Sequence, residues 1–563
     1  MAPSFAIVII FMVILRPARQ LNRGSVVTNG YGCSEIGGSI IQKGGNAVDA
    51  AIAALFCEGV SMPECMGLGG GFLLTLYNKS TQEVWTLNAR EAAPGKASWN
   101  MYIKEPDSSK WGGKAVAVPG ELRGYWHLYQ KFGGGVPWKE LVQPTIDICK
   151  RGVYVTKFLE GVYKKKKDYL YNDSVLRDIY INPETNDTYK EGQFVKLVKL
   201  AKTLEVIAEE GGDALNNGSL TVKFVQDIQD NGGIITIEDM QNYQPQWQKP
   251  VTVALKNNET LFTSPLPGSG IIVAHILNIL TDFINDSDTT SITTNQRIVE
   301  AFKFAYGKRG KWVIPILLMF KRLVYELIEN YTSTKYAEEM KKLISDVKTY
   351  EDPQHYGAKF TYPEDHGTAH ISVLTPEGDA VSVTSTINLL FGAGFASNST
   401  GIILNNEMRD FSSPNMTNGN GFASSPANFV APGKRSMSAM CPSVVLDHNK
   451  EVLLVIGGAG GPKITTSVAV VIMRHLWFGM DLKHAIDEKR LHHQLFPMEI
   501  IYDTAYQTSG MDIVQGLASI GHNYSFKDDN GFAAITAISR SSESGEVVGC
   551  SDMRRPGYTT YLG

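Results

Sequence analysis

The pattern of hydrophobic and polar positions divides the chain into a helix-rich part and a strand-rich part. Residues 48–57 are rich in alanine and apolar on nearly every face, which predicts a buried helix rather than an amphipathic surface helix. Residues 197–211 and 298–306 also have helical patterns. Short apolar runs typical of strands cover residues 72–76, 370–374, 380–385 and 452–456. Predicted helices therefore fall in the first two thirds of the chain, and predicted strands surround position 368.

Glycine and proline clusters separate these elements. The run Pro376-Glu377-Gly378-Asp379 predicts a tight turn between two of the strands. A glycine cluster at residues 67–71 precedes the strand at 72–76. A dinucleotide-binding fingerprint follows a strand instead, and its third glycine would fall here on Phe72, so this cluster is not one. The chain contains no tandem repeat, which excludes repeat architectures.

An apolar run near the start of the chain predicts a targeting segment. Residues 5–15 are apolar without interruption, and 11 residues are too few to span a bilayer as a helix but suit a signal-peptide core. No basic residue precedes this run, and residues 16–19 are a poor cleavage site. We expect residues 1–20 to be a signal peptide of a secreted protein. The alternative is a signal anchor, with the protein facing outside on a single membrane pass.

Sequons support the secretory route, because ten Asn-x-Ser/Thr sequences occur in one chain with an apolar N-terminus. Eight of them are the expected glycosylation sites: Asn78, Asn172, Asn186, Asn217, Asn258, Asn285, Asn330 and Asn398. The other two, Asn415 and Asn523, are weaker candidates.

Composition limits the possible functions. Of 563 residues, 43 % are hydrophobic and 20 % charged, as in ordinary globular proteins, and a formal net charge of −4 gives no reason to expect nucleic acid as a partner. The six cysteines are Cys33, Cys57, Cys65, Cys149, Cys441 and Cys550. Some of them should pair in an oxidising compartment. No CxxC spacing occurs, which argues against zinc or redox chemistry, and we expect neither a metal nor a cofactor.

The most informative residue for chemistry is Thr368, which stands between Gly367 and a predicted strand. Hydroxyls, carboxylates and glycines follow it, at residues 384–388, 405–411 and 457–461. These are the parts of an amidase in which the chain cuts itself before a threonine and the new α-amine becomes the catalytic base. An unperturbed α-amine has a pKa of about 8, so part of it is neutral at neutral pH.

The chain resembles the γ-glutamyltranspeptidase family from about Cys33 to its C-terminus. The resemblance is carried by long motifs in the family's order, which are residues 44–51, 66–71, Asn88-Ala89-Arg90-Glu91, 117–121 and the block around Thr368. A chance match to one of these motifs is plausible, but a match to all of them in order is not.

The resemblance implies a fold and a domain organisation. The family fold is an αββα four-layer sandwich of the N-terminal-nucleophile hydrolase type, within the α+β class. We expect one domain built from two self-cleaved subunits, a large one of residues 21–367 and a small catalytic one of residues 368–563. The two subunits would form a heterodimer. The family's disulfide corresponds to Cys33 and Cys57, and the other cysteines are expected to be buried free thiols.

The resemblance also assigns roles to individual residues. Thr368 would be the nucleophile of self-cleavage after Gly367 and of catalysis, and Thr386 would bind and orient its hydroxyl. The substrate would be glutathione or another γ-glutamyl amide, with water, an amino acid or a dipeptide as acceptor. The remaining implied residues are Arg90 and Ser438 for the substrate α-carboxylate, Asn388, Glu407 and Asp410 for its α-ammonium, and the N–H groups of Gly460 and Gly461 for the oxyanion.

Other interpretations of the sequence remain open at this point. The chain could be a secreted homologue of little or no activity that acts as a binding protein, or an amidase for another acyl group, as in cephalosporin acylases. A glycosidase-type pair of Glu407 and Asp410 lacks any second feature of sugar chemistry. His492 and His493 are interpreted as structural, since the mechanism does not need them.

Three departures from the family pattern motivate the binding-protein alternative. Ala439 stands where relatives have a second serine, and Leu390 stands where animal relatives often have a tyrosine over the site. Residues 312–320 are all apolar or uncharged, whereas the family has a polar Gly-Asp-Pro segment there. A shift of reading frame across these nine codons would restore the family's peptide. If the segment is real, we expect folding or self-cleavage to suffer.

Overall fold

The computed structural model describes residues 22–284, 289–309, 326, 328–360, 367–414, 423–528 and 531–563. The predicted targeting segment 1–20, the unusual segment 312–320 and the sequons Asn285 and Asn415 lie outside these residues. Within them, no helix has the length and apolar character needed to cross a membrane.

Helices flank the two main sheets. Their bounds are α1 Cys33–Gln42, α2 Ala47–Ser61, α3 Glu121–Phe132, α4 Trp138–Arg151, α5 Lys157–Lys165, α6 Lys167–Asn172, α7 Ser174–Tyr180, α8 Val198–Glu210, α9 Thr221–Asp230, α10 Ile237–Asn242, α11 Gly270–Leu280, α12 Ile292–Gly307, α13 Thr334–Lys341, α14 Lys463–Ile472, α15 Leu482–Asp487 and α16 Met511–Ile520.

Most strands belong to the two main sheets, and the others form a small three-stranded sheet and two pairs. Their bounds are β1 Gly24–Thr28, β2 Gly71–Asn78, β3 Glu83–Ala89, β4 Val153–Tyr154, β5 Ile181–Asn182, β6 Asp187–Thr188, β7 Phe194–Val195, β8 Gln246–Gln248, β9 Val251–Ala254, β10 Thr260–Thr263, β11 Ala369–Leu374, β12 Ala380–Thr386, β13 Ser443–Leu446, β14 Val452–Ala459, β15 Leu491–His492, β16 Ile500–Asp503, β17 Tyr524–Lys527, β18 Ala534–Arg540, β19 Val547–Ser551 and β20 Tyr558–Leu562. Strands β15, β16 and β17 form the three-stranded sheet, and β4 with β7 and β5 with β6 form the two-residue pairs.

The helix and strand predictions are confirmed. The apolar segment 48–57 lies within α2, whose residues are buried at every position but one because helices and a sheet cover it on all sides. The predicted strands correspond to β2, β11, β12 and β14, and the predicted turn joins β11 to β12 through a hydrogen bond from Gly378 N to Thr375 O. The helix predicted at 298–306 is longer, since α12 begins at Ile292 behind the capping hydroxyl of Ser291.

Two antiparallel sheets face each other at the centre of the molecule. The first has the strand order β20-β1-β11-β12-β2-β3-β8, and the second has the order β19-β18-β14-β13-β10-β9. The Ser382 hydroxyl on β12 donates to Ile456 O on β14 at 2.9 Å, across the space between the sheets. Valine, leucine and isoleucine make up most of the apolar cluster between the sheets, with Tyr77 and Ala380.

Helices cover the outer face of each sheet. Helices α1, α2 and α3 pack on the first sheet, with α4 behind α2, in one large apolar cluster. Helices α11 and α14 pack on the second sheet, with α12 beside α11, in another. The layers therefore run helix, sheet, sheet, helix. This is the αββα sandwich that the sequence predicted.

The Cys33–Cys57 disulfide joins α1 to α2 with a Cα–Cα distance of 5.4 Å, as expected. It closes a loop with a sequence separation of 24 residues, which predicts a stabilisation of about 3 kcal/mol through restriction of the unfolded chain. We expect the double variant Cys33→Ala, Cys57→Ala to unfold at a lower temperature and lower denaturant concentration. Cys441→Ala, which removes a buried free thiol, is the control. Equal melting temperatures for the wild type and the double variant would contradict this prediction.

The cysteines Cys65, Cys149, Cys441 and Cys550 are buried and unpaired with one another, as expected. The sequon asparagines Asn172, Asn186, Asn217, Asn258, Asn330, Asn398 and Asn523 are exposed, while Asn78 is half-buried. Glycosylation itself stays a prediction.

Candidate active site

Thr368 lies at the start of the central strand pair of the first sheet. It directly precedes β11, which runs between β1 and β12, and only 1 % of the residue is exposed. Its hydroxyl is buried and has no hydrogen-bond partner among the residues that the structure describes. An unpartnered buried hydroxyl is costly in a structural residue and is common in a reactive one. This environment fits the role of nucleophile predicted for Thr368.

Gly367 is held in a place that only glycine can occupy. A Cβ atom there would lie 2.1 Å from the main-chain oxygen of Asn388. The Gly367 carbonyl accepts a hydrogen bond from the Thr386 hydroxyl, which in turn accepts one from Asn388 N at 2.8 Å. The resemblance implied that Thr386 binds the Thr368 hydroxyl. In this uncleaved chain the Thr386 hydroxyl donates instead to the carbonyl oxygen of Gly367, in the peptide bond before Thr368.

The residues expected to bind the glutamyl group meet around Arg90, immediately after β3. Arg90 Nη2 lies 2.5 Å from Glu407 Oε1 and 2.7 Å from Asp410 Oδ2. The side chains of all three are almost fully buried. Glu407 and Asp410 occupy one short 3₁₀ turn, Glu407–Asp410, which presents both carboxylates to the guanidinium. Glu91 Oε2 also lies 4.0 Å from Arg90 Nη1, but burial raises the pKa of Glu91 to about 8, which favours its neutral form at neutral pH. One guanidinium with the carboxylates of Glu407 and Asp410 gives the group a formal charge of −1.

Asn388 connects this group to the predicted cleavage site. Its Nδ2 donates to Asp410 Oδ1 at 2.9 Å, while its main-chain N–H bonds the Thr386 hydroxyl. Asn388 has a φ of 72°, a left-handed conformation that asparagine adopts more readily than most residues. The cluster of Arg90, Asn388, Glu407 and Asp410, called here the glutamyl cluster, therefore adjoins the bond before Thr368.

The structure differs from the expectation for the serines. Ser438 Oγ accepts a hydrogen bond from Met440 N at 3.2 Å, within its own turn. The serine that contacts Arg90 is Ser436, whose main-chain oxygen accepts from Arg90 Nε at 2.9 Å and whose hydroxyl lies 3.1 Å from Arg90 Nη2. The sequence offered no means of choosing Ser436, because both serines lie in the same irregular segment. A role for Ser438 stays a prediction.

Gly460 and Gly461 follow the end of β14 and have φ values of 125° and 66°. Gly457 of the same strand abuts the ring of His370, where a Cβ would lie 2.1 Å from the ring. Ile456 faces Ser382, which is paired with Ser372. Strand β14 thus faces β11 across the two sheets and runs in the opposite direction, so its glycine-rich C-terminal end lies towards the Thr368 end of β11. The role of Gly460 and Gly461 as oxyanion donors stays a prediction.

The two histidines interpreted as structural, and two positions that depart from the family pattern, lie in buried or half-buried surroundings. His492 bonds Thr466 Oγ1 at 2.7 Å, and His493 Nδ1 accepts from Leu495 N at 3.0 Å, both in buried surroundings. Burial lowers the pKa of His493. Ala439 is buried and Leu390 is half-buried against the helix layer.

The sequence did not single out Arg555. Its Nη1 donates to the main-chain oxygen of Thr368 at 2.5 Å, from the turn between β19 and β20. The only sequence signal is a pair of arginines before Pro556 and Gly557, and such a pair is usually solvated.

A buried acid behind the site makes stability depend on pH. Glu121 Oε1 accepts from Tyr125 at 2.5 Å and from Ser385, the neighbour of Thr386, at 2.8 Å. Burial raises the pKa of Glu121 from 4.5 to about 8, although both hydrogen bonds lower it. Between these two pH values the unfolded chain has lost the proton that the folded chain keeps, so the free energy of unfolding falls as pH rises.

We expect Glu121→Gln to lose part of this pH dependence, because the amide is neutral at every pH. The melting temperature of the wild type should fall between about pH 5 and pH 8 more steeply than that of the variant. Some slope should remain, since burial also raises the pKa values of Glu58 and Glu91 to about 8. Glu83→Gln, at an exposed position, is the control. Parallel curves for the wild type and Glu121→Gln would show that this prediction is wrong.

Comparison with known proteins identifies the family. The sequence model of the family described as Gamma-glutamyltranspeptidase matches residues 33–562. The chain belongs to the γ-glutamyltranspeptidase family. The resemblance found in the sequence is thereby confirmed.

Two relatives illustrate the match along the chain. Scoloptoxin SSD14 of Scolopendra dehaani is 39 % identical over 544 residues, covering 95 % of this chain and 92 % of the relative. Glutathione hydrolase 2 of Arabidopsis thaliana is 36 % identical over 482 residues, covering 85 % of this chain and 82 % of the relative. This member of the γ-glutamyltranspeptidase family thus has relatives that match it over more than four fifths of their lengths.

A solved structure supports the fold. The cephalosporin acylase from Bacillus halodurans superimposes with a TM-score of 0.80 and covers 99 % of this chain and 100 % of its own, at 23 % sequence identity. The likeness confirms the N-terminal-nucleophile hydrolase sandwich. At this identity it carries no information about the acyl group that the γ-glutamyltranspeptidase homologue recognises.

Proposed function

We propose that the protein is a self-cleaving γ-glutamyl transferase and hydrolase that acts on glutathione and related γ-glutamyl amides. The observation that carries this proposal is the glutamyl cluster beside Thr368. A γ-glutamyl group ends in an α-ammonium and an α-carboxylate, and a selective site must pair both. The formal charge of −1 on the cluster favours the ammonium, and the guanidinium of Arg90 offers a planar donor for the carboxylate.

Self-cleavage would begin with the Thr368 hydroxyl. The hydroxyl attacks the Gly367 carbonyl, whose oxygen receives the hydrogen bond of Thr386 and becomes negative in the transition state. The C–N bond between residues 367 and 368 then breaks, its nitrogen takes the proton of the hydroxyl, and an ester joins the two parts. Water hydrolyses this ester. The products are a large subunit that ends at Gly367 and a small subunit that begins with the α-amine of Thr368.

Catalysis would use the same hydroxyl a second time. The new α-amine takes its proton while the oxygen attacks the γ-carbonyl of the substrate. N–H groups of Gly460 and Gly461 are the proposed donors to the oxyanion. The departing amine takes the proton, which leaves a γ-glutamyl ester on Thr368. Water, an amino acid or a dipeptide then attacks this ester, which gives hydrolysis or transfer.

The subunits and the location of the protein are part of this proposal. Residues 1–20 would be the signal peptide or anchor, residues 21–367 the large subunit and residues 368–563 the small subunit. The Cys33–Cys57 disulfide and the exposed sequons support passage through an oxidising secretory compartment. Secretion is the simplest outcome of this route.

The first test is the initial rate of anilide release by the purified wild type. A γ-glutamyl anilide should be cleaved, and the rate should rise when a dipeptide acceptor such as glycylglycine is added. The matched control is the α-glutamyl anilide, whose ammonium and carboxylate are displaced relative to the reacting carbonyl. Equal rates on both anilides would overturn the assignment of the glutamyl cluster. Folded, cleaved protein with no rate on either would favour the binding-protein alternative.

A further inference from the structure

Arg555 connects Thr368, the proposed nucleophile, to Glu64 and Cys65 in the proposed large subunit. Its side chain is about nine-tenths buried, and its Nη1 donates to Thr368 O at 2.5 Å. Its Nη2 lies 2.9 Å from Cys65 Sγ and 3.4 Å from Glu64 Oε1. Both of these residues belong to the turn after α2. One planar side chain therefore bonds the main chain of the nucleophilic residue on one side and two residues of the large subunit on the other.

The partners of Arg555 also hold the loop that carries Asn388. Ile387 N donates to Cys65 O at 3.0 Å, and Phe391 N donates to Glu64 O at 2.7 Å. The turn at Glu64 and Cys65 thus fixes both ends of this loop. Arg555 connects the same turn to Thr368, so nucleophile and glutamyl cluster share one support.

The guanidinium of Arg555 stays protonated although it is buried. Burial works against its charge, but Cys65, Glu64 and Glu58 outweigh burial and raise its pKa further. Burial raises the pKa of Glu64, although Arg555 opposes this, and burial also raises the pKa of the Cys65 thiol. Arg555 is thus a charged donor at neutral pH.

We propose that Arg555 is a positioning residue that fixes the main chain of Thr368 for both self-cleavage and turnover. This proposal rests on the proposed function. Before cleavage, the peptide bond to Gly367 anchors Thr368. After cleavage that anchor is gone, and Thr368 becomes a chain end one residue before β11. A donor on its carbonyl then restrains the residue that carries both the nucleophilic hydroxyl and the basic amine.

The test compares Arg555→Lys and Arg555→Gln with Arg554→Lys. Arg554 is a buried neighbour whose Nη2 lies 2.6 Å from Asp503 and whose Nη1 lies 3.0 Å from Asp552, so its loss disturbs a similar buried ion pair in a different place. Three quantities are measured for each variant: the melting temperature, the cleaved fraction on a denaturing gel, and kcat and KM per cleaved molecule.

We expect both Arg555 variants to lose kcat by about 10- to 100-fold per cleaved molecule, because a misplacement of about 1 Å has effects of this size. KM should change by less than about threefold, since the loop that carries Asn388 is held by main-chain hydrogen bonds to Glu64 and Cys65 that do not involve the Arg555 side chain. Arg555→Lys should retain more activity than Arg555→Gln, because the lysine ammonium keeps the positive charge and can still donate to Thr368 O, even without the contacts to Glu64 and Cys65. Arg554→Lys should keep the wild-type kcat despite a lower melting temperature.

The outcomes separate positioning from general stability. A folded Arg555→Gln that remains uncleaved, while Arg554→Lys of similar melting temperature is cleaved, also supports the proposal. Wild-type kcat in the Arg555 variants, or an equal loss in Arg554→Lys, overturns it. If the wild type is cleaved but releases no γ-glutamyl group, the proposed function fails, and the cleaved fraction alone still tests Arg555.

Discussion

Thr368→Ala is expected to remain one uncleaved chain and to lose γ-glutamyl anilide release completely. The substitution removes the hydroxyl that serves both reactions, and loss of a nucleophile of this kind costs at least about 10⁴-fold in rate. Stability should change by no more than about 1 kcal/mol, because the hydroxyl makes no hydrogen bond among the described residues. Denaturing gels and initial rates measure the two effects in the same preparation.

Thr368→Ser is the matched control for this prediction. It keeps a hydroxyl and loses only a methyl group, so we expect cleavage and turnover to continue at reduced rates. Detection of two subunits in Thr368→Ala, or of a rate above background in it, would refute the assignment of the nucleophile.

Arg90→Lys is expected to have the second largest effect, a fall in kcat/KM of about 10² to 10³-fold on the γ-glutamyl anilide. A lysine keeps the charge but cannot bond Glu407, Asp410 and Ser436 together, so the carboxylates lose their fixed arrangement. Arg90→Met should be worse. It leaves two buried carboxylates without their cation, and such a loss destabilises a protein by about 3–5 kcal/mol.

Arg435→Lys is the control for Arg90. Arg435 is also buried, but its guanidinium bonds the main-chain oxygens of Asn88 and Gln244 rather than carboxylates. We expect this variant to lower the melting temperature while KM stays close to that of the wild type. A similar fall in kcat/KM for Arg435→Lys would mean that Arg90 acts through folding alone.

The hydrophobic pattern alone predicted an element correctly where that element is buried on every face. Helix α2 is apolar on all faces because it is covered on all sides, and this is visible in the sequence. The start of α12 was missed because its first turn is polar, with Thr293 and Asn295 after the capping Ser291. Strand pairs of two residues, such as β5 and β6, are too short to produce any periodicity.

The candidate site depended on motifs rather than on pattern. Arg90 and Asp410 are 320 residues apart, and no periodicity predicts that they meet. The motif resemblance grouped them with Glu407 and Asn388, and the four side chains are adjacent in the structure. It could not distinguish Ser436 from Ser438 as the neighbour of Arg90, since that choice depends on the course of an irregular segment. It also gave no indication of Arg555, whose importance comes only from the fold around it.

Both sheets take strands from either side of position 368. In the first sheet, β11 lies between β1 and β12, and β20 pairs with β1 through five residue pairs. In the second, β10 lies beside β13. After a break before Thr368, each main sheet would therefore still contain strands from both polypeptides, and neither polypeptide would form a complete sheet alone. Dilution would not separate the two subunits, and subunits could exchange between molecules no faster than the heterodimer unfolds.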